Sequence, residues 1–552
     1  MKSIHWQRYA AGGARLLLQR GIWAFQNVLI PSLITKYVFV NTVYGSRLLV
    51  LALGLFMYLI WRCMYTFILY PTYLTPFRHL PTPKGPRSWL WGNLKPHFAE
   101  PAGMAARRIA ESTPNDGLLR YYGFLSQERI MLTTPQYFSE VLVQKGYEYP
   151  KSFLLKYAIS RVTGEGLGYT EGDLHRRQRK NLMPAFSYRH IKDLYPAFWR
   201  KGQEMADRLT PFAASGAPVT IREWASRVTL DIMGETGMAL DFGSLHDPDN
   251  ALVSVYKRML APPPPKFRYF AQLGNFVNPA LLQRLPLPRN RMIAEGAAYL
   301  RGVTRDIIAR KRAALAEGRD GGDVDIVGVA LRSGAFDDED LISHMMTFLA
   351  AGHETTATAF QWLIWVLCKH PDVQTRLSEE LRRELGPFFS SASASGPDAA
   401  AVDALPYLKA VCNEVLRHHP PTPMTTREAM SDGRVGDTFV PRGTTLVVPS
   451  EATNHDPMLW GPDAAAFNPD RWMAPGQANS GGARSNYAMM TFIHGPRSCI
   501  GANFTRSELA CLAAVFVGRF VVELVDPDQP LEYDNSVTVA PKGGVQVRIR
   551  KV

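Results

Sequence analysis

Three prolines within residues 80–86 (Leu-Pro-Thr-Pro-Lys-Gly-Pro) divide the chain into two parts that cannot fold by the same rules. Each proline fixes φ and removes a backbone donor, so a helix arriving from either side must stop and the segment reads as a stiff, extended hinge over about 80–90. Upstream lies the most apolar stretch of the sequence. Residues 48–61 (LLVLALGLFMYLIW) carry no charge, but as a helix they cover only about 21 Å of a roughly 30 Å hydrocarbon core. Continuing through Arg62 to Tyr70 reaches spanning length if the guanidinium snorkels, and Trp61, Tyr65 and Tyr70 suit an interface. A second apolar stretch, about 21–44, contains Pro31 and Lys36. Residues 1–79 are therefore expected to form an N-terminal membrane anchor, with a helix at about 48–70 and a second candidate at about 21–44. If both span, the Lys2/Arg8/Arg15/Arg20 and Arg78/Lys84/Arg87 clusters share the cytoplasmic side; if only one spans, they compete. A cleaved signal peptide fits poorly, because the apolar run starts far from the N-terminus. The plainer alternative is a buried hairpin of a soluble domain.

Charge follows the same division. The 552-residue chain carries +13, and its first 100 residues, with 11 basic side chains against Glu100 alone, hold +10 of it. Positive charge flanking an apolar run suits a membrane surface, whereas a nucleic-acid binder would carry it on the folded body. Five scattered cysteines (Cys63, Cys368, Cys412, Cys499, Cys511) form neither a disulfide framework nor a CxxC zinc pair, which fits a reducing compartment.

Helical periodicity dominates the body, at 190–210, 222–240, 291–315, 338–370, 371–386, 404–419 and 502–519. Strand-like pieces are short: 129–133, 437–449 and 544–550. Residues 389–402, 474–486 and the APPPPK run at 261–266 read as loops or breaks. One mainly α domain with small β-sheets, over 91–552, is the simplest architecture.

The most informative stretch is Phe492-Ile-His-Gly495-Pro-Arg497-Ser-Cys499-Ile-Gly501. At every fixed position it resembles the Phe-x-x-Gly-x-Arg-x-Cys-x-Gly pattern of the cytochrome P450 family, a coincidence with odds on the order of 10⁻³ to 10⁻⁴ in a chain this long. The resemblance runs through about 80–552 in the expected order and implies a P450 fold behind the membrane helix or helices. It implies that the Cys499 thiolate is the axial ligand of a haem b iron. A helix starting just after it would lower the thiol pKa. Gly495 and Gly501 would remove β-carbons beside a flat macrocycle, Arg497 would hold a propionate, and Phe492 would shield the sulfur.

Four further elements carry the resemblance. Ala351-Gly352-His353-Glu354-Thr355-Thr356 interrupts a long helical pattern with residues that weaken helices, and it is similar to the family's distal helix. On that likeness Gly352 leaves room for dioxygen, Thr355 hydrogen-bonds it, and Glu354 relays protons. A zincin reading fails because Ala357 stands where histidine is needed, and His353 reads as packed or exposed. Glu414-x-x-Arg417 followed by Phe467-Asn-Pro-Asp-Arg471-Trp472 resembles the family's buried Glu-Arg-Arg cluster, a structural element. By contrast, Glu379/Arg382 and Glu380/Arg383 read as solvated pairs. Residues 172–186 resemble the helix that gives two side chains to the propionates, here His175, where the family usually has tryptophan, and Arg179. Arg427 is a further propionate candidate. Arg176, Arg177 and Lys180 form either a solvated face or a docking surface for an acidic electron donor.

The implied activity is that of a monooxygenase that hydroxylates or epoxidises an apolar small molecule with O2. Electrons come from NADPH through a separate cytochrome P450 reductase, and the enzyme sits on the endoplasmic reticulum with its catalytic domain in the cytosol. Substrate would pass from the lipid side through 255–290, with Phe348, Ala351, Met424 and Val539 as candidate pocket walls. The long anchor and the His175-type helix resemble fungal members that tailor polyketides or terpenoids in secondary metabolism. Two rivals are a reductase-independent haem-thiolate isomerase or dehydratase, which has no need of the Glu354-Thr355 pair, and a non-catalytic haem sensor or carrier, which leaves Gly352 and Thr355 without a role.

Overall fold

The structure, a computed structural model, describes residues 44–552 except 96–99, 262–273, 275–277, 319–323, 390–395 and 536–537. The second anchor candidate at about 21–44, the first basic cluster, most of the 261–266 break and the middle of the 255–290 route lie outside the described residues.

The apolar run forms a helix, Tyr44–Met64, that continues as a wider π-helical stretch, Tyr65–Leu74. It therefore passes Pro71, four residues beyond the end expected from the sequence. The wider turn absorbs the missing N–H, and the Pro71 carbonyl accepts from the Tyr122 hydroxyl at 3.1 Å. Residues 49–74 are long and apolar enough to cross a membrane. Leu49, Leu51, Leu53, Leu55, Phe56 and Met57 all stand exposed. The proline-rich stretch that follows lies against the sheet, since Arg120 donates its N–H to the Pro81 carbonyl (2.8 Å) and its Nε to Thr82 Oγ1 (3.1 Å).

The body is mainly helical with small sheets. The seven expected helices appear as Tyr195–Ser215, Ile221–Met238, Pro288–Ala316, Asp338–Lys369, Pro371–Leu385, Pro406–His418 and Ala502–Arg519. The strand-like run 437–449 is two strands, Thr438–Val440 and Thr445–Val448, parted by a turn at Pro441 and Gly443. In the largest sheet Leu118–Tyr122 pairs antiparallel with Glu128–Leu132, which runs parallel to Thr445–Val448, and Thr425–Glu428 closes the far edge. Within 389–402, Ala399–Asp403 is helical, not loop.

The 32-residue helix Asp338–Lys369 organises the core. Asp337 caps it, accepting from the Asp340 N–H at 2.7 Å. Acidic residues fill its first turn and Lys369 its last, matching the helix dipole. Beyond its acidic first turn it is buried on every side except around Ala351, as expected of a central helix. Its main neighbour is Ile221–Met238.

Glu414 fixes the loops behind this core. It takes both Arg417 Nε (2.8 Å) and Nη2 (2.7 Å), Arg471 Nε (3.1 Å), Trp472 Nε1 (2.9 Å) and the Asn468 N–H (2.9 Å). Burial works to raise its pKa, but the hydrogen bonds and charges of Arg417 and Arg471 outweigh it and hold the carboxyl below its ordinary value. Glu380, expected as half of a solvated pair, is instead buried and accepts the N–H groups of Tyr407 and Leu408 at the start of the next helix. Replacing Glu414 by Ala strands two buried guanidinium groups and is expected to cost roughly 3–5 kcal/mol. Thermal unfolding checks this, and an unchanged midpoint would contradict it.

Candidate functional site

The cysteine loop is built by strain and close approach. Ile493, a β-branched residue, is held at φ 57°, a conformation that costs free energy and concentrates at functional sites. Gly495 sits at φ 82°, and a β-carbon there would collide with the Leu142 carbonyl. The close backbone of residues 142–143 by itself requires this glycine. Gly501 has open space where its β-carbon would lie. The Cys499 N–H donates to the Phe492 carbonyl at 2.9 Å, and the Ser498 N–H to that of Gly495 at 3.0 Å. Phe492 is half-buried with the Arg506 guanidinium 4.6 Å above its ring.

The Cys499 side chain meets open space, yet burial is the first cause acting on its thiol. The sulfur is thus accessible yet closely ringed by protein. Burial pushes the thiol pKa up, against the Gly501 N–H and the charges of Arg179, Arg506 and Lys151, which work to lower it. The expected net lowering is absent: the start of helix Ala502–Arg519 and three cations do not overcome desolvation in the protein alone.

Beside this loop the structure gathers cations. Arg497 is buried, donates Nη2 to the Thr170 carbonyl (3.0 Å), and places Nη1 2.6 Å from Glu171 Oε2. Its Nε has no hydrogen-bond partner. Arg427 is buried on strand Thr425–Glu428, its pKa lowered to about 10 by burial and by Arg497. His175 is buried, 3.2 Å from the Tyr147 hydroxyl, and driven down to about 3 by burial and the charges of Arg497, Lys151 and Arg179. Arg179 reaches the cysteine loop itself, donating Nη1 to the Ser498 carbonyl (2.6 Å) and Nη2 to Ser498 Oγ (3.1 Å).

Sequence reasoning missed Lys151. It pairs across an isolated bridge with Arg427, donates Nζ to the Gly168 carbonyl at 2.7 Å, and is lowered to about 7 by burial, Arg497 and Arg427. No motif marks it, and only the pairing of two segments about 280 residues apart brings it in. Four cationic side chains thus converge with Glu171 as the carboxylate among them. Such an array, with a buried unpartnered Arg497 Nε, fits a group carrying two carboxylates.

The central helix runs unbroken through Ala351–Thr356, and this turn is where its burial lapses. Ala351 is exposed and Glu354 and Thr355 are half-buried, although the helix is closed above and below them. Gly352 serves the packing of Ile221–Met238, because a β-carbon there would meet the Met233 methyl; the space expected for dioxygen on that side is filled by this side chain. Thr355 Oγ1 donates to the Ala351 carbonyl at 2.8 Å. Glu354 accepts from Thr538 Oγ1 at 3.4 Å, and burial raises its pKa against the opposing charge of Arg222. His353 is packed, 3.0 Å from the Tyr256 hydroxyl. The helix also contacts Ala502–Arg519, so the opened turn and the cysteine loop are carried by two packed helices.

Among the pocket candidates, Ala351 alone stands open. Phe348 is buried edge-on against Phe186 with ring centres 5.0 Å apart. Met424 is half-buried against a small core cluster. Val539 lines a separate cleft with Trp362, His419 and Tyr533. Arg176, Arg177 and Lys180 are exposed, with Arg176 paired to Asp173 at 2.7 Å.

A mainly helical body with a strained cysteine loop beside gathered cations fits the class of haem-thiolate enzymes. The Cytochrome P450 family profile matches residues 83–548. The chain is 46% identical over 516 residues to the cytochrome P450 monooxygenase sphH of Aspergillus fumigatus, covering 92% of this chain and 94% of the relative. It is 40% identical to the cytochrome P450 monooxygenase FSL4 of Gibberella zeae, covering 96% and 99%, and 39% identical to buaD of Petromyces alliaceus, a cytochrome P450 monooxygenase, covering 87% of each. The chain belongs to the cytochrome P450 family and is a monooxygenase, and its family implies a haem held by a cysteine thiolate.

Substituting Gly495 by Ala is expected to cost about 1–2 kcal/mol for the left-handed backbone alone and more for the collision with Leu142. A variant that melts and loads haem like the parent would contradict this.

Proposed function

We propose that the chain is a membrane-anchored monooxygenase that oxidises an apolar small molecule of fungal secondary metabolism, with Cys499 as its haem ligand. The observation that carries this reading is the pairing of an accessible thiol, closely ringed by protein, with a converging set of cations. Arg497, Arg427, Arg179, Lys151 and His175 are the residues that hold the haem carboxylates. On this reading the turn at Ala351 serves the substrate side, with residues 91–552 as the catalytic domain and 1–79 as the anchor region. When bound, a thiolate-ligated haem supplies reductive activation of dioxygen: one oxygen atom goes to substrate and the other leaves as water, at the expense of two electrons and two protons.

The chain's own part is to place groups and protons. Thr355 offers a hydroxyl on the open turn, and Glu354, raised by burial, can hold a proton one residue away while Thr538 fixes its Oε1. The exposed Arg176/Arg177/Lys180 face suits an acidic electron-donor protein, a reductase drawing on NADPH. Exposed apolar side chains along 49–74 support a membrane helix, which on this reading anchors the chain in the endoplasmic reticulum with the body in the cytosol. The isomerase or dehydratase alternative has no use for the Glu354-Thr355 pair.

Extracts of cells with and without the full chain, fed isotopically heavy dioxygen, test the reading. One compound should decline as a product gaining one heavy oxygen atom appears. A product of unchanged mass formed without NADPH would contradict it. In the same assay Thr355→Ala should keep its haem but divert electrons to peroxide, and tightly coupled turnover would remove Thr355 from the proton path.

A further inference from the structure

The proposed function leaves out one buried histidine that adjoins its proton-holding carboxyl. His353 and Glu354 are neighbours in sequence, and His353 Nε2 lies 3.7 Å from Glu354 Oε2. Adjacent residues on a helix diverge by about 100°, so the two side chains lean toward each other. His353 is only 2% exposed. Its ring stands edge-on to Tyr256 on helix Ala251–Leu260, with centres 4.9 Å apart, and its Nδ1 lies 3.0 Å from the Tyr256 hydroxyl.

The contacts on the far side of the ring fix where its hydrogen is. The Tyr256 hydroxyl donates to the Leu349 carbonyl at 2.9 Å, and burial keeps the phenol protonated. Its one hydrogen is thereby used, so its oxygen faces His353 Nδ1 as an acceptor. The Leu349 carbonyl is a second acceptor for the His353 ring. Nδ1 therefore carries the hydrogen. Burial lowers the His353 pKa to about 4, which leaves the ring neutral and Nε2 a bare lone pair. That lone pair faces Glu354 Oε2, while Oε1 accepts from Thr538 Oγ1 at 3.4 Å. Two further charged groups act on the carboxyl: Arg222, on helix Ile221–Met238, works to lower its pKa, and Asp534, on strand Tyr533–Asn535, works to raise it. They pair with each other at 3.0 Å. Burial is the largest cause, and it raises the Glu354 pKa. A neutral carboxyl has one hydrogen to give. With a donor already on Oε1, the place left for it is Oε2.

We propose that His353 is a positioning residue: its Nε2 accepts the carboxyl hydrogen of Glu354 at Oε2 and so holds Glu354 as a neutral acid, in a fixed plane, next to Thr355. The 3.7 Å separation is about half an ångström beyond the usual hydrogen-bond range, and a small turn of the flexible carboxyl closes it. The inference rests on the reading of Glu354 as proton holder and adds what keeps the proton there. A hydrogen bond made only by the neutral form raises a carboxyl pKa, so loss of the acceptor lets Glu354 ionise at lower pH.

The test uses the full chain with haem bound. The Glu354 carboxyl is read as the infrared C=O band of a protonated acid that Glu354→Gln removes, followed against pH. His353→Phe keeps a buried flat ring, and His353→Leu puts a smaller apolar group there. Either should lower the pH at which the band is half lost by about one unit, a tenfold shift in the acid–base equilibrium. Tyr256→Phe should leave that midpoint in place, because the Leu349 carbonyl still holds the Nδ1 hydrogen, and it decides alone should both His353 variants fail to load haem. A midpoint that rises in the His353 variants or in Tyr256→Phe means that Nε2 carries the hydrogen and supports a carboxylate, which overturns the proposal. An unchanged midpoint in both His353 variants overturns it as well, and so does a parent without the band at neutral pH. Product formed per NADPH separates this from the proposed function: if the band moves as expected while coupling keeps the parent's pH dependence, the His353 assignment stands and the part given to Glu354 in the reaction fails.

Discussion

Gathering Lys151, Arg179, Arg427 and Arg497 around Glu171, next to a histidine that burial and the charges of Arg497, Lys151 and Arg179 keep neutral, is unfavourable in a protein standing alone. Each ion taken from water costs several kcal/mol unless it is paired. The fold nevertheless draws these residues from five places in the sequence: the segment after Pro150, the helix Gly172–Leu182 and the residue just before it, an edge strand, and the cysteine loop. A cluster with surplus charge is explained by what it receives. On the proposed reading that is the pair of carboxylates on a haem, whose binding supplies the missing counter-charge and whose position then sets the iron over Cys499.

The central helix depends on the same arrangement from the other side. A 32-residue helix buried all round could have been closed throughout; it opens for one turn at Ala351, where small residues and a back-bonded threonine replace large ones. Thr355 is tied to its own helix and Glu354 is tied to Thr538, so both side chains are positioned by neighbours before any substrate arrives. Gly352 belongs to the packing of Met233, which shows how a glycine in a site motif can answer to a helix contact.

The long helices were legible because apolar spacing near 3.6 residues persists for many turns, and the ends at Asp337 and Pro371 carry ordinary capping and stop signals. The helix through Pro71 was not, because its continuation depends on a π-turn and on the Tyr122 hydroxyl from another element. Cys499, Arg497 and Arg427 could be named from pattern and order. Lys151 and Glu171 could not, since a lysine after proline and a lone glutamate carry no local signature and acquire meaning only through bridge pairing and charge. The direction of the Cys499 pKa was misjudged for a related reason: a helix terminus is visible in sequence, whereas how closely protein encloses the sulfur is a tertiary property.

The account stands or falls on one bond between the Cys499 sulfur and haem iron. The absorption spectrum of the reduced carbon monoxide complex of the full chain tests it most directly. The account predicts the strongly red-shifted Soret band that a thiolate ligand produces, and its loss in Cys499→Ser. The same red-shifted band in the variant, or a band of the imidazole type in the parent, would contradict it.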